Sequence, residues 1–134
     1  MSSVTYDKLD LELLPNSVDP NGDPGTNFKL TSPLNVTVRD VDGITALYRV
    51  PVGFITDFAS VPQILQNIFP REGSYTVASV FHDYCYGTAC VTRKEADDIF
   101  LQGMKDLGTS FFVRYSIYLG VRLGGASHYA KFSK

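Results

Sequence analysis

The chain has 134 residues, a length that suits one domain and leaves too little for a second independent core. Apolar residues make up 44% and aromatic residues 13%, which excludes a chain too polar to pack. Twelve basic against fourteen acidic side chains give a formal charge of -2. With no basic run, nucleic acid is not an expected partner.

Met1 to Tyr6 shows neither the basic nor the apolar region of a secretion signal, so no signal peptide is expected. No stretch reaches the roughly 18 apolar residues that cross a bilayer, so the chain is expected not to be transmembrane. Leu9, Leu11, Leu13 and Leu14 form a short apolar stretch. Pro15 to Gly25 is rich in Pro, Gly, Asn and Asp and reads as a loop, making 1–25 a partly flexible N-terminal segment of a single domain spanning 1–134. Asp19, Asn21 and Asp23 resemble the start of a calcium loop, but Pro20 and Pro24 interrupt it and no Glu closes it.

Residues 27–52 read as strands. Phe28, Leu30, Leu34, Val36 and Val38 all fall on even positions, the period of a half-buried strand. Asp40-Val41-Asp42-Gly43 signals a hairpin turn before the β-rich run from Ile44 to Val52. Residues 53–58 are expected to leave the sheet.

The second half reads as helical. Ser60 and Pro62 open a first helix to about Phe69. A second runs from Ser74 to about Tyr86 with Val77, Ala78, Phe81 and Cys85 as its apolar stripe, ended by Gly87. Thr92-Arg93-Lys94-Glu95 fits a capping box for a third helix, whose stripe is Ala96, Ile99, Phe100, Gly103, Met104 and Leu107 and whose stop is Gly108. A fourth, Phe111 to Leu123, is apolar on most sides and is expected either to be the most buried helix or to cover a partner. The expected fold class is therefore α+β: an N-terminal antiparallel hairpin or small sheet over about 27–54, then a three- to four-helix segment over about 60–124.

Helical spacing places His82 on or beside the buried stripe, four residues after Ala78. Asp83 is turned about 100° away on the same helix. A short turn lets the third helix pack antiparallel to the second, which brings Asp97 or Asp98 towards His82; Asp97 flanks the core residue Ala96, and Asp98 points further towards solvent. A buried histidine with a carboxylate on one ring nitrogen is a general base, and an adjacent carboxylate facing the other way can hold a metal. On spacing alone the same three residues equally describe a satisfied core histidine, a surface acid and a first-turn acid favoured by the helix dipole. Cys85 and Cys90 read as two free thiols in a reduced compartment or as a local disulfide. A zinc site on His82, Cys85 and Cys90 would need His128 or a carboxylate as fourth ligand. No nucleophile elbow, P-loop or dinucleotide fingerprint is present.

Four ordered blocks then carry a resemblance: Pro51-Val52-Gly53-Phe54-Ile55-Thr56-Asp57-Phe58-Ala59-Ser60-Val61-Pro62, His82-Asp83-Tyr84-Cys85-Tyr86, Arg93-Lys94-Glu95-Ala96-Asp97-Asp98-Ile99-Phe100, and Tyr118-Leu119-Gly120-Val121-Arg122-Leu123-Gly124. Over residues 51–124 the chain resembles the phage and prophage family known as domain of unknown function 1353. That resemblance implies a tailed-phage virion or tail-associated protein with a structural or adaptor role. Such a protein would be made in the host cytoplasm, carried in the virion, and partnered by other tail or baseplate proteins.

The segment His82-Asp83-x-Cys85-Tyr86, with Asp97 one turn before Phe100, is also similar to the active-site helix pair of bacterial-type secreted phospholipase A2. That likeness implies a calcium-dependent hydrolase acting on phospholipid. His82 would activate water, Asp97 would orient the histidine, and Asp83 with the loop residue Asp57 would bind calcium. The departures are the missing disulfide framework and glycine-rich calcium loop, and a strand-rich first half with no counterpart in those enzymes. Three functions follow as expectations: a structural or adaptor tail protein that keeps the His/Asp site, an active calcium-dependent phospholipid esterase acting on the host envelope, and another envelope hydrolase or zinc protein.

Overall fold

The computed structural model describes residues 1–18, 24–56, 75–127 and 129. In chain order the strands are β1 (Ser3–Tyr6), β2 (Leu11–Val18), β3 (Pro24–Leu30), β4 (Leu34–Asp40), β5 (Gly43–Val50) and β6 (Ile55–Thr56). The helices are α1 (Thr76–Thr88), α2 (Arg93–Asp106) and α3 (Phe111–Gly124), followed by a 3₁₀ turn, Gly125–Ser127. The fold is α+β: two three-stranded antiparallel sheets, ordered β1-β4-β5 and β2-β3-β6, precede the helices.

The alternation along β4 does what its period requires. Leu34, Val36 and Val38 are buried while the residues between them face outward. The β4–β5 hairpin closes Asp40 against Gly43, whose φ of +129° suits a residue without Cβ. The N-terminal segment is more regular than its composition suggests. Two strands lie within 1–18, and β2 runs on through Pro15, which the sequence reading had placed in a loop. It can do so because β2 is an edge strand and its register with β3 shifts between Leu14 and Ser17, so the missing proline N–H interrupts no central ladder. Residues 53–58 also do not leave the sheet entirely: Ile55 and Thr56 pair with Lys29 and Phe28 as β6. The first expected helix, about 60–69, and the calcium-loop residues Asp19, Asn21 and Asp23 lie outside the described residues.

Helix α2 opens on the full capping box. Thr92 accepts from the Glu95 N–H while Glu95 accepts from the Thr92 N–H. Its end is followed by Gly108 at φ +89°, the expected stop. Helix α1 does not end at Gly87. It continues to Thr88, whose hydroxyl donates back to the Tyr84 carbonyl at 2.7 Å, and the left-handed residue that terminates it is Ala89 at φ 53°.

Two apolar clusters form the core. One joins the first sheet to α1 through Val4, Val36, Val50, Val80, Phe81 and Cys85. The other joins the helices through Tyr75, Ala78, Phe100, Met104, Ile117 and Val121. Tyr6 touches both. Helix α3, expected either to be the most buried helix or to cover a partner, is not the most buried: it buries only Ile117 and Val121, and Phe111, Phe112, Leu119 and Leu123 stand exposed. It packs on α2 along one stripe and lies at the outside of the helical layer, so its remaining apolar residues meet solvent. Among the described residues no helix is long and apolar enough to cross a membrane.

Candidate functional site

The antiparallel packing of α1 and α2 brings His82 and Asp97 together as the sequence spacing implies. His82 Nε2 lies 2.6 Å from Asp97 Oδ1. His82 is 1% exposed and Asp97 0%, so the pair is sealed in the helical core. The imidazole stacks on the Phe100 ring with centroids 4.5 Å apart and meets the Tyr86 ring at a tilt, 4.2 Å away. Phe100 and Tyr86 belong to different apolar clusters, so this polar node sits where the two meet.

Asp97 has further partners. Tyr86, one turn beyond His82, donates its hydroxyl to the same Oδ1 at 2.6 Å. Arg122, from the last turn of α3, donates from Nη1 to Oδ2 at 2.7 Å. One carboxylate therefore ties all three helices. Burial raises the Asp97 carboxyl pKa, but the hydrogen bonds from His82, Tyr86 and Arg122 outweigh it and hold the pKa below the usual carboxylate value. Burial drives His82 the other way, below the usual imidazole value, against the pull of Asp97. The consistent state is an ionised Asp97 beside a neutral His82. Because a carboxylate can only accept, the ring proton is on Nε2 and the Nδ1 lone pair faces away from Asp97. Burial, then Asp97, raises the Tyr86 phenol, which stays protonated as the donor.

Asp83 points elsewhere, as its position on α1 requires. It is half-buried and accepts from the Thr56 hydroxyl at 2.5 Å, which ties β6 to α1. Asp57, the second expected calcium ligand, lies outside the described residues, as does His128, the candidate fourth zinc ligand. Among the described residues no group of three or more His, Cys, Asp or Glu side chains is placed to hold a metal ion. His82 engages Asp97 rather than either cysteine. Cys85 and Cys90 are free thiols in this structure. Asp98 faces outward as expected, between Lys94 and the Tyr118 hydroxyl.

Sequence reasoning missed the roles of Arg122 and Thr56. A signal for Arg122 was present: it is one of only two charges on an otherwise apolar helix, and a cation there needs an anion nearby. Gly125 completes the site by its smallness, since a Cβ there would lie 2.7 Å from the Tyr86 hydroxyl.

A family model described as "Protein of unknown function (DUF1353)" matches residues 28–121. The match extends further towards the N-terminus than the motif blocks and takes in the end of β3 and all of β4 and β5. A protein of Sinorhizobium fredii, described as "Uncharacterized protein y4jT", is 33% identical over 107 residues, covering 78% of this chain and 31% of that protein. The chain thus spans about a third of the length of the relative it matches. No solved structure matches it.

Proposed function

Because the chain belongs to the DUF1353 family of proteins of unknown function, which fixes kinship and no activity, we propose that it is a structural or adaptor protein of a tailed phage. In this reading its His/Asp site is a polar clamp of the helical core. The observation that supports it is the closure of that site. Both Asp97 oxygens are engaged by groups from α1 and α3, and the imidazole lies against the Phe100 and Tyr86 rings at 1% exposure. A buried carboxylate so partnered holds three helices in one arrangement. The outward face of α3, with Phe111, Phe112, Leu119 and Leu123, is the surface this reading offers to another tail or baseplate protein. The phage setting rests on the four motif blocks alone.

The test is the protein content of purified virions from a phage or prophage that encodes the chain. The chain is expected there in a fixed ratio to tail proteins, and Leu119→Glu should reduce its incorporation. Virions that lack it would overturn the adaptor reading.

A second reading is a calcium-dependent phospholipid esterase. It is favoured by one observation: a neutral His82 with its proton on Nε2 carries its lone pair on Nδ1, the form a general base takes when a carboxylate orients it. Asp83, with Asp57, would supply the calcium carboxylates. The test is fatty-acid release from mixed bacterial phospholipids, with calcium and with a chelator, beside His82→Ala. Release that needs both calcium and His82 would establish the esterase. None from the folded protein would leave the clamp.

A further inference from the structure

The end of α1 and the turn that follows it hold the chain's two cysteines. Cys85 is buried in the last turn and a half of α1, and Cys90 lies at the surface just beyond the left-handed Ala89. Their sulfurs are 3.5 Å apart. The backbone between them is already turned back, with the Ala89 N–H donating to the Cys85 carbonyl at 2.9 Å. Joining them would bring the sulfurs about 1.5 Å closer to reach a bonded separation of about 2.05 Å, a shift within the reach of side-chain rotation.

We propose that Cys85 and Cys90 form a reversible redox pair that reacts with hydroperoxides, Cys90 as the attacking thiolate and Cys85 as the resolving thiol. Exposure and burial assign the roles: only Cys90 is open to a solute, and only Cys85 is poised behind it. The hydrogen bond with Cys85, together with those from Thr88 and the backbone N–H groups of Cys90 and Val91, lowers the Cys90 thiol to about 6 despite partial burial, so near neutral pH it is largely the reactive anion. The Cys90 sulfur attacks the peroxide, an S–O bond forms and the O–O bond breaks. The departing hydroxide or alkoxide takes a proton and leaves as water or alcohol, and Cys90 is a sulfenic acid. The Cys85 sulfur then attacks Cys90, the S–S bond forms, the S–O bond breaks, and the hydroxide leaves as water with the Cys85 proton. Two thiols lose two electrons and two protons, and the peroxide is reduced.

The covalent link would join the end of α1 to the residues leading into the Thr92 cap of α2, so it would fix the turn that sets His82 against Asp97. The proposal stands whether that pair is a clamp or a catalytic base.

The experiment treats the full chain with hydrogen peroxide and follows free thiols, intact mass and migration without reductant. Both thiols should disappear together with a mass loss of two hydrogen atoms, the protein should stay monomeric, and dithiothreitol should restore both. Cys90→Ser should lose the rapid oxidation. Cys85→Ala, which removes the resolving thiol without burying a hydroxyl, should stop at a sulfenic acid that dimedone traps. Persistence of both thiols, oxidation of Cys90 alone in the wild-type chain, or a disulfide between two molecules would each overturn the proposal.

Discussion

Helices α2 and α3 have equal length and opposite composition, and the polar one is the better buried. Seven of the fourteen residues of α2 are charged, yet Ala96, Asp97, Ile99, Phe100, Gly103 and Met104 are all buried. In α3 only Arg114 and Arg122 are charged, yet only Ile117 and Val121 are buried. Burial here follows the period of the apolar positions and the place of the helix in the layer, not average hydropathy. The two helices meet at Asp97 and Arg122, where the polar helix sends an acid inward and the apolar helix answers with a cation.

The severest way to break this contrast is Asp97→Ala. It leaves Arg122, Tyr86 and His82 without their acceptor, and loss of one member of a buried charged network costs about 3–5 kcal/mol. Urea unfolding should show the midpoint fall with the slope unchanged. Next comes Gly103→Ala. A Cβ there would lie 2.1 Å from the Tyr6 hydroxyl, which itself has no hydrogen-bond partner. Overpacking of this kind costs about 1–3 kcal/mol, and adding Tyr6→Phe should recover only part of it, because the Cβ would also lie 2.9 Å from two carbons of the Tyr6 ring.

The pH dependence is gentler and its sign is determined. His82 is held neutral in the fold, so the unfolded chain takes up a proton near pH 6.5 that the folded chain refuses. Stability is therefore full above about pH 6.5 and falls by about 1.4 kcal/mol per pH unit below it, down to the lower folded value. Asp97 is shifted down, so its contribution holds above the ordinary carboxylate range near pH 4 and is lost as pH falls further. His82→Gln should flatten the upper limb and leave the lower one, as read from unfolding midpoints between pH 8 and 4. The smallest effect belongs to the outer face of α3. Leu123 is 86% exposed, so Leu123→Ser should change stability by less than about 0.5 kcal/mol. A large loss there would mean that this face is packed in the isolated chain.

The central part of the site was legible because helical spacing and a capping box are local. His82 and Asp97 each flank an apolar stripe, and the short connection from Gly87 to Thr92 allows only neighbouring, antiparallel helices. Even positions from Phe28 to Val38 made β3 and β4 readable for the same reason. What was not legible depends on distant partners. Pro15 is tolerated because β2 lies at a sheet edge, which its own sequence does not state. Ile55 and Thr56 become a strand only because β3 has an open side. Arg122 finds Asp97 across 25 residues, and α3 could be placed on the outside only once its neighbours were known.

Strand β1 carries a consequence for how the chain assembles. It pairs with β4, more than thirty residues later, and its free edge is closed by the Asp106 carboxylate, which accepts the Val4 N–H at 2.7 Å across 102 residues. Strand β1 is therefore fully secured only when the end of α2 is in place. Its pairing strand is complete at Asp40, but its edge cover comes only with Asp106, at the end of α2. Such long-range closure slows folding, because the entropy of ordering the intervening chain is lost before the contact is gained. Refolding should pass its latest barrier at the two ends of this contact, and removing Ser2 to Thr5 should loosen the far end of α2, a hundred residues away in sequence.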